Sequence, residues 1–412
     1  MTSCCQLRCV LLLFFLFANG EAHATEIVRI SISRHKQVSL TNAEADQILQ
    51  DMSDALQQLD TPQDVATDIE FVRHGNVKVL PDEVPAVINS KASFEAVRDA
   101  ALGVKVIRRI EWCKESGSPY YGCAPIGSPD INFVVVRKSQ SSFRKAEGIL
   151  WAHEYGHNCR RQDRNVTRAL MSFELDKRNN VVNHAESTAF LAGPSTATTF
   201  TGGQNYFATK SINQFVEPLY IHGIPRAALP QYEARDATVL IGMLKQISSA
   251  PNAPNKSQLA NIAATLCGIG DSSAVSSLTA TYQIESPNDA AYDAKHAVLV
   301  NLGYLIRRTA DQEAIDFLFE VATNPEASLE VATNRNAELT KQPEIEAPSI
   351  VELQTELASS AILGLGLAAS EFTEDLLLRI TRIESANSQV RQLAATARAS
   401  SIAIRENEVN AR

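Results

Sequence analysis

The spacing of apolar residues divides the chain into two stretches of different period. From Glu26 to Ser33 apolar and polar residues alternate, the signature of a half-buried strand. From Thr41 to Leu59 the spacing turns helical, with Thr41 or Asn42 placed to cap the first turn. Strand-like runs follow at Ile69 to Val72 and Val104 to Trp112, then a short segment at Tyr121 to Ile126. The apolar run Ile131 to Val136 predicts a central buried strand. Ser141 and Ser142 cap a further helical stretch carrying Ile149, His153 and His157.

Beyond about residue 225 the strand signals stop and Ala/Leu-rich helices take over. Ala274, Val275 and Leu278 recur as Ala314, Ile315 and Leu318, and a looser copy runs from Ala361 to Leu378. A period of roughly 40 residues made of helix pairs is the spacing of HEAT-type repeats, which stack into a solenoid because one pair cannot bury its own apolar face. The Glu-, Asn- and Pro-containing stretch from Asn324 to Ser349 reads as an exposed insertion between repeats. The expected organisation is therefore a signal peptide over 1–24, a mixed α+β domain over 25–225 and an all-α repeat domain over 226–412.

The first 24 residues have the parts of an export signal: Arg8, an apolar stretch from Cys9 to Ala18, and a small-x-small cleavage site at Ala22 to Ala24. Cleavage removes three of the seven cysteines and sends the rest to an oxidising compartment, periplasmic or extracellular. Cys113 and Cys123 bracket a Gly-, Pro- and Tyr-rich loop and are expected to pair; Cys159 and Cys267 pair with each other or stay buried and free. A 45% hydrophobic chain is ordinary for a folded protein, and a net charge of −9 without a basic cluster argues against a nucleic-acid surface. After residue 24 no stretch is expected to reach the length of a membrane span.

The chemistry concentrates at His153-Glu154-Tyr155-Gly156-His157. On a helix, residues four apart share a face, so both imidazoles reach one metal ion while Glu154 remains available as a base. Six residues on stands Asp163, with Met171 beyond it. A glutamate further along the chain is an alternative third ligand, with Glu186 ahead of Glu174, and His184 behind both. His35, His74, His222 and His296 lie apart from any acid or cysteine at metal spacing and read as surface or core residues.

This constellation resembles the metzincin clan of zinc endopeptidases, whose extended motif is H-E-x-x-H-x-x-G-x-x-H/D followed by a methionine turn. The resemblance implies His153, His157 and Asp163 as zinc ligands, Glu154 as general base and Met171 as the turn residue beneath the metal; the Ala-Leu-Met spacing is closest to the matrixins. It also implies a mostly parallel five-stranded sheet whose edge strand, here Gly122 to Ile126, pairs with extended substrate. Arg160 stands where the family has glycine, and an arginine in that left-handed turn costs about 1 kcal/mol or more. Phe173 occupies the place of the tyrosine some metzincins add as a further ligand, and offers no oxygen.

The expected activity is zinc-dependent hydrolysis of protein or peptide substrates, with the helical repeats holding a protein partner or covering the cleft. Two alternatives stand beside it: an inactive zinc-site protein whose repeats are a binding module, and a zinc hydrolase of cell-wall peptides.

Overall fold

The computed structural model describes residues 25–59, 68–113, 115–138, 141–164, 166, 168–194, 210–248, 258–286 and 288–411. The chain is α+β, with a sheet-containing first part and a mostly helical second part. In the first part come β1 (Glu26–Ile30), β2 (Ile32–Arg34), α1 (Asn42–Leu56), β3 (Ile69–Arg73), β4 (Lys78–Val79), β5 (Val87–Ile88) and α2 (Lys91–Ala100). Then follow β6 (Gly103–Ile107), β7 (Arg109–Cys113), β8 (Glu115–Tyr120), β9 (Gly122–Cys123), β10 (Asn132–Val136), α3 (Ser141–Arg144) and α4 (Glu147–Asn158). The first part closes with β11 (Glu174–Leu175), α5 (His184–Ala192), α6 (Ile212–Val216) and β12 (Leu219–Tyr220).

Five strands form the sheet that carries the site, in the order β4-β2-β6-β10-β9. The first four run parallel, and β9 pairs antiparallel to β10 through Val134 opposite Cys123 and Val135 opposite Gly122. Phe133 to Val136 of β10 are buried, as a strand covered on both faces requires. Helices α1 and α4 pack together beneath β3, β9 and β10. Cys113 and Cys123 are joined by a disulfide that ties β7 to β9, while Cys159 and Cys267 are free and buried in different cores.

Several elements differ from the expectation. The run Val104 to Trp112 is two strands in two sheets, because the N–H groups of Arg108 and Arg109 both turn to the Ala86 carbonyl. The segment Tyr121 to Ile126 is a strand only at Gly122–Cys123; Pro125 has no donor with which to extend the ladder. The helix expected from Ser141 is broken: α4 starts afresh after Ala146 without a side-chain cap, and Glu147 in its first turn meets Arg137 at 3.2 Å. Helix α2 carries only two buried residues, Phe94 and Val97, so its apolar stripe is too thin to announce itself.

The second part holds α7 (Ala234–Ser248), α8 (Leu259–Ile269), α9 (Val275–Tyr282), α10 (Asp289–Thr309), α11 (Gln312–Thr323), α12 (Glu326–Leu339), α13 (Ile350–Ala368), α14 (Glu371–Thr381) and α15 (Ser388–Ala411). One row stacks α8, α10, α13 and α15; α9, α11 and α14 form a second row against it. The stretch read as an exposed insertion is largely α12, packed on α13; of its four buried residues Ser328, Ala332, Arg335 and Leu339 only the last is a large apolar side chain, too few for an apolar count to mark the helix. Helix α13 is long and apolar enough to cross a membrane, against expectation, yet it is mostly buried among α10, α11, α12 and α15.

The two parts meet along a seam of buried charge. Arg109 and Lys138 both reach Asp293 of α10, at 3.3 and 2.8 Å; Glu111 meets His296 at 2.7 Å and accepts from Ser360 at 2.8 Å; Arg108 pairs with Glu356. Burial and the nearby Arg109 cation hold the His296 imidazole down to about 4, so it stays neutral against the ionised Glu111.

Candidate metal centre

Helix α4 places His153 and His157 on one face, one turn apart, and both are buried. Each ring is oriented by a backbone carbonyl. His153 Nδ1 lies 3.1 Å from the Leu170 oxygen and His157 Nδ1 lies 2.7 Å from the Arg161 oxygen. A carbonyl only accepts, so each Nδ1 carries the proton and each Nε2 presents its lone pair to the site.

The chain leaves α4 through Arg160, whose φ of +68° is the left-handed conformation that favours glycine. The arginine adopts it nevertheless, and the turn brings Asp163 back to the helix. Asp163 Oδ1 stands 3.0 Å from His153 Nε2 and 3.5 Å from His157 Nε2. Although burial opposes ionisation, the imidazoles of His222, His153 and His157 around it hold this carboxyl well below the usual range. Burial pulls the His157 imidazole down to about 3, against the pull of Asp163, so it stays a neutral donor. For His153 the order reverses: burial lowers its pKa, but the Asp163 carboxylate outweighs that and raises it.

A third imidazole completes the group. His222, just past β12, puts Nε2 3.2 Å from His153 Nε2 and 3.0 Å from His157 Nε2, and its Nδ1 lies 3.2 Å from the Gly122 oxygen. By its sequence surroundings His222 reads as a surface or core residue, and the structure instead places it in the cluster. It lies 65 residues from His157 along the chain, and no local pattern links the two; the pairing of β11 with β12 and the backbone bonds of Ile221 to Tyr121 and Phe173 bring it in. His153, His157, Asp163 and His222 offer ligand atoms all within 4.8 Å of one another. A tetrahedral ion bound at about 2.0–2.1 Å separates its ligands by roughly 3.4 Å, so these separations, with His222 Nε2 3.8 Å from Asp163 Oδ1 as the longest, fit one ion held by four donors. Three imidazole nitrogens and a carboxylate oxygen converge on one point, an arrangement that a bound cation would satisfy.

The surroundings serve this group. Met171 is fully buried beneath α4, and a Cβ on Gly156 would fall 2.3 Å from its sulfur. Glu154 is buried too, with Oε1 3.8 Å from His222 Nε2; a Cβ on Gly122 would fall 2.1 Å from that oxygen, so β9 must have glycine where it passes the carboxylate. Asp163 and His222 keep 21% and 19% of their side-chain surface, which makes them the solvent-facing side of the group. Glu186 lies outside it: its carboxylate is taken by Arg164 at 2.6 and 2.8 Å and by the Asn183 N–H at 3.0 Å, where it caps α5. Glu174 pairs with Lys210, and His184 opens α5 rather than joining the cluster.

The chain matches no protein family, no curated protein and no solved structure.

Proposed function

We propose that this chain is an exported zinc endopeptidase with a metzincin-like catalytic domain. The observation that carries the reading is the convergence of Asp163 on the two α4 imidazoles through a left-handed turn at Arg160. Zinc is the ion this donor set suits, being tetrahedral with nitrogen and oxygen ligands, and when bound it would supply Lewis acidity and lower the pKa of water at the site. The order of the five-stranded sheet, with one antiparallel edge strand beside the site helix, supports the same family. The Cys113–Cys123 bond supports an oxidising compartment.

In this reading Glu154 takes the proton from the attacking water and delivers it to the leaving amine. Gly122 lets the carboxylate lie against β9, where the scissile bond of an extended peptide would pass. Leu170 and Arg161 fix the two imidazoles by their carbonyls, and Met171 supports them from below as packing. The stacked helix pairs of the second part are read as a HEAT-type solenoid that binds protein.

A second reading is favoured by His222: four protein donors make a closed centre, as in structural zinc sites. Zinc-loaded native protein and Glu154→Ala, incubated with casein and with a cross-linked peptidoglycan fragment, separate the readings. The peptidase reading expects casein cleavage that the variant loses by at least about a hundredfold. Cleavage of neither substrate favours the closed site, and equal cleavage by both proteins removes Glu154 from the chemistry.

A further inference from the structure

We propose that His222 is the fourth protein ligand of the metal and that the strap bearing it, Leu219 to Gly223, restricts the site against substrate, so that the native chain is a partly latent enzyme that cleaves slowly. The inference rests on the peptidase reading for its second half and on geometry alone for its first.

Two positions are needed for peptide hydrolysis at such a centre: an open place on the metal for water or the scissile carbonyl, and a free strand edge beside it. The strap takes both. His222 Nε2 lies as close to the two α4 nitrogens as they would lie to a water in the fourth place, and nearer than a donor acting from outside the ion's shell would stand. Its Nδ1 donates to the Gly122 carbonyl of β9. One residue before it, Ile221 accepts from the Tyr121 N–H at 2.7 Å and donates to the Phe173 carbonyl at 2.9 Å. A peptide adding to this edge would need the Tyr121 donor and the Gly122 acceptor, and finds both engaged.

The strap is held by both parts of the chain. Ile221 is buried in the core of the sheet domain, whereas Tyr220 and Ile224 on either side of it are buried in the core of the helices. Tyr220 further donates to the Phe215 carbonyl at 2.6 Å, and the Asn261 amide of α8 donates to the Pro218 carbonyl. Removing His222 from the metal therefore requires the strap to shift against α6 and α8. This gives the helical part a direct mechanical connection to the centre.

The test uses apo-protein reloaded with Co2+ or Zn2+, native against His222→Ala. His222→Asn, which keeps a donor towards the Gly122 carbonyl, stands in if the alanine variant fails to fold by circular dichroism. The expected results are a changed visible spectrum of the Co2+ form, a metal affinity lower by at least about tenfold in competition with a chromogenic chelator, and several-fold faster casein cleavage by the Zn2+ form. An unchanged spectrum and affinity overturn the ligand assignment. A changed spectrum with slower cleavage overturns latency and makes His222 a participant in the reaction. A changed spectrum with no cleavage by either protein retains the ligand and overturns latency together with the peptidase reading on which it rests.

Discussion

Replacing Asp293 with alanine removes the anion from the buried seam between the two parts. Its Oδ1 serves Lys138 at 2.8 Å and Arg109 at 3.3 Å, and the three side chains keep only 6–8% of their surface. Arg109 retains the Tyr292 ring, 4.7 Å from its guanidinium carbon, and Glu111 at 4.0 Å, so the loss falls mainly on Lys138. Burial already pulls the Lys138 ammonium below its ordinary value, with Asp293 opposing that pull. Removing one partner of a buried pair costs about 3–5 kcal/mol; because Arg109 keeps other partners, the low end, about 3 kcal/mol, is expected here. That is a large share of the roughly 5–15 kcal/mol that holds a typical domain folded. Urea unfolding followed by circular dichroism should show the native midpoint falling accordingly, and the double variant Asp293→Ala/Lys138→Met should recover more than half the loss. A loss under about 1 kcal/mol, or strictly additive effects of the two substitutions, would refute the idea that this pair binds the helices to the sheet.

Gly122→Ala should lower casein cleavage strongly while leaving metal content unchanged, since the atoms nearest the added Cβ all belong to the Glu154 side chain, with Oε1 at 2.1 Å; metal analysis beside the activity assay checks it, and loss of metal would contradict it. Lys105 is buried between strands, donating to the Gly103 carbonyl at 2.9 Å and to Asn132, and burial brings its pKa from 10.5 down to about 7. Between those two values the unfolded chain binds more protons than the folded one, so stability should rise with pH from about 7 towards 10, the full cost of the buried charge being borne below that window. Urea midpoints of the native protein that stay flat from pH 7 to 9.5 would contradict this, as would a Lys105→Met variant that keeps the native rise. Loss of the Cys113–Cys123 bridge by double serine substitution should cost roughly 2–3 kcal/mol, read by thermal unfolding, and should not be reproduced by reductant-insensitive single variants of Cys159 or Cys267, which are free.

What the sequence discloses follows the range of its physics. His153 and His157 stand four residues apart on one helix, so period alone places both imidazoles on one face, with Glu154 beside the first. Asp163 and Arg160 are legible only through the resemblance to the metzincin motif, and the arginine takes the left-handed turn that the motif gives to glycine. His222 is different in kind. It arrives through a two-residue β-pair and through anchors in two separate cores, contacts that no local pattern encodes. The same limit hid α12, whose inward Arg335 is satisfied by Asp289 of α10 and the Tyr292 ring rather than by apolar packing. The break between β6 and β7 escaped notice for a related reason: Arg108 sits within an otherwise strand-like run, and its turn is set by the distant Ala86 carbonyl.

X-ray absorption at the zinc edge of the stoichiometrically loaded native protein tests the central claim most directly. The account predicts one ion with four nitrogen or oxygen neighbours at about 2.0–2.1 Å, three of them with the outer-shell pattern of imidazole. Sulfur in the first shell, fewer than three imidazoles, or failure to bind zinc near one ion per chain would contradict it.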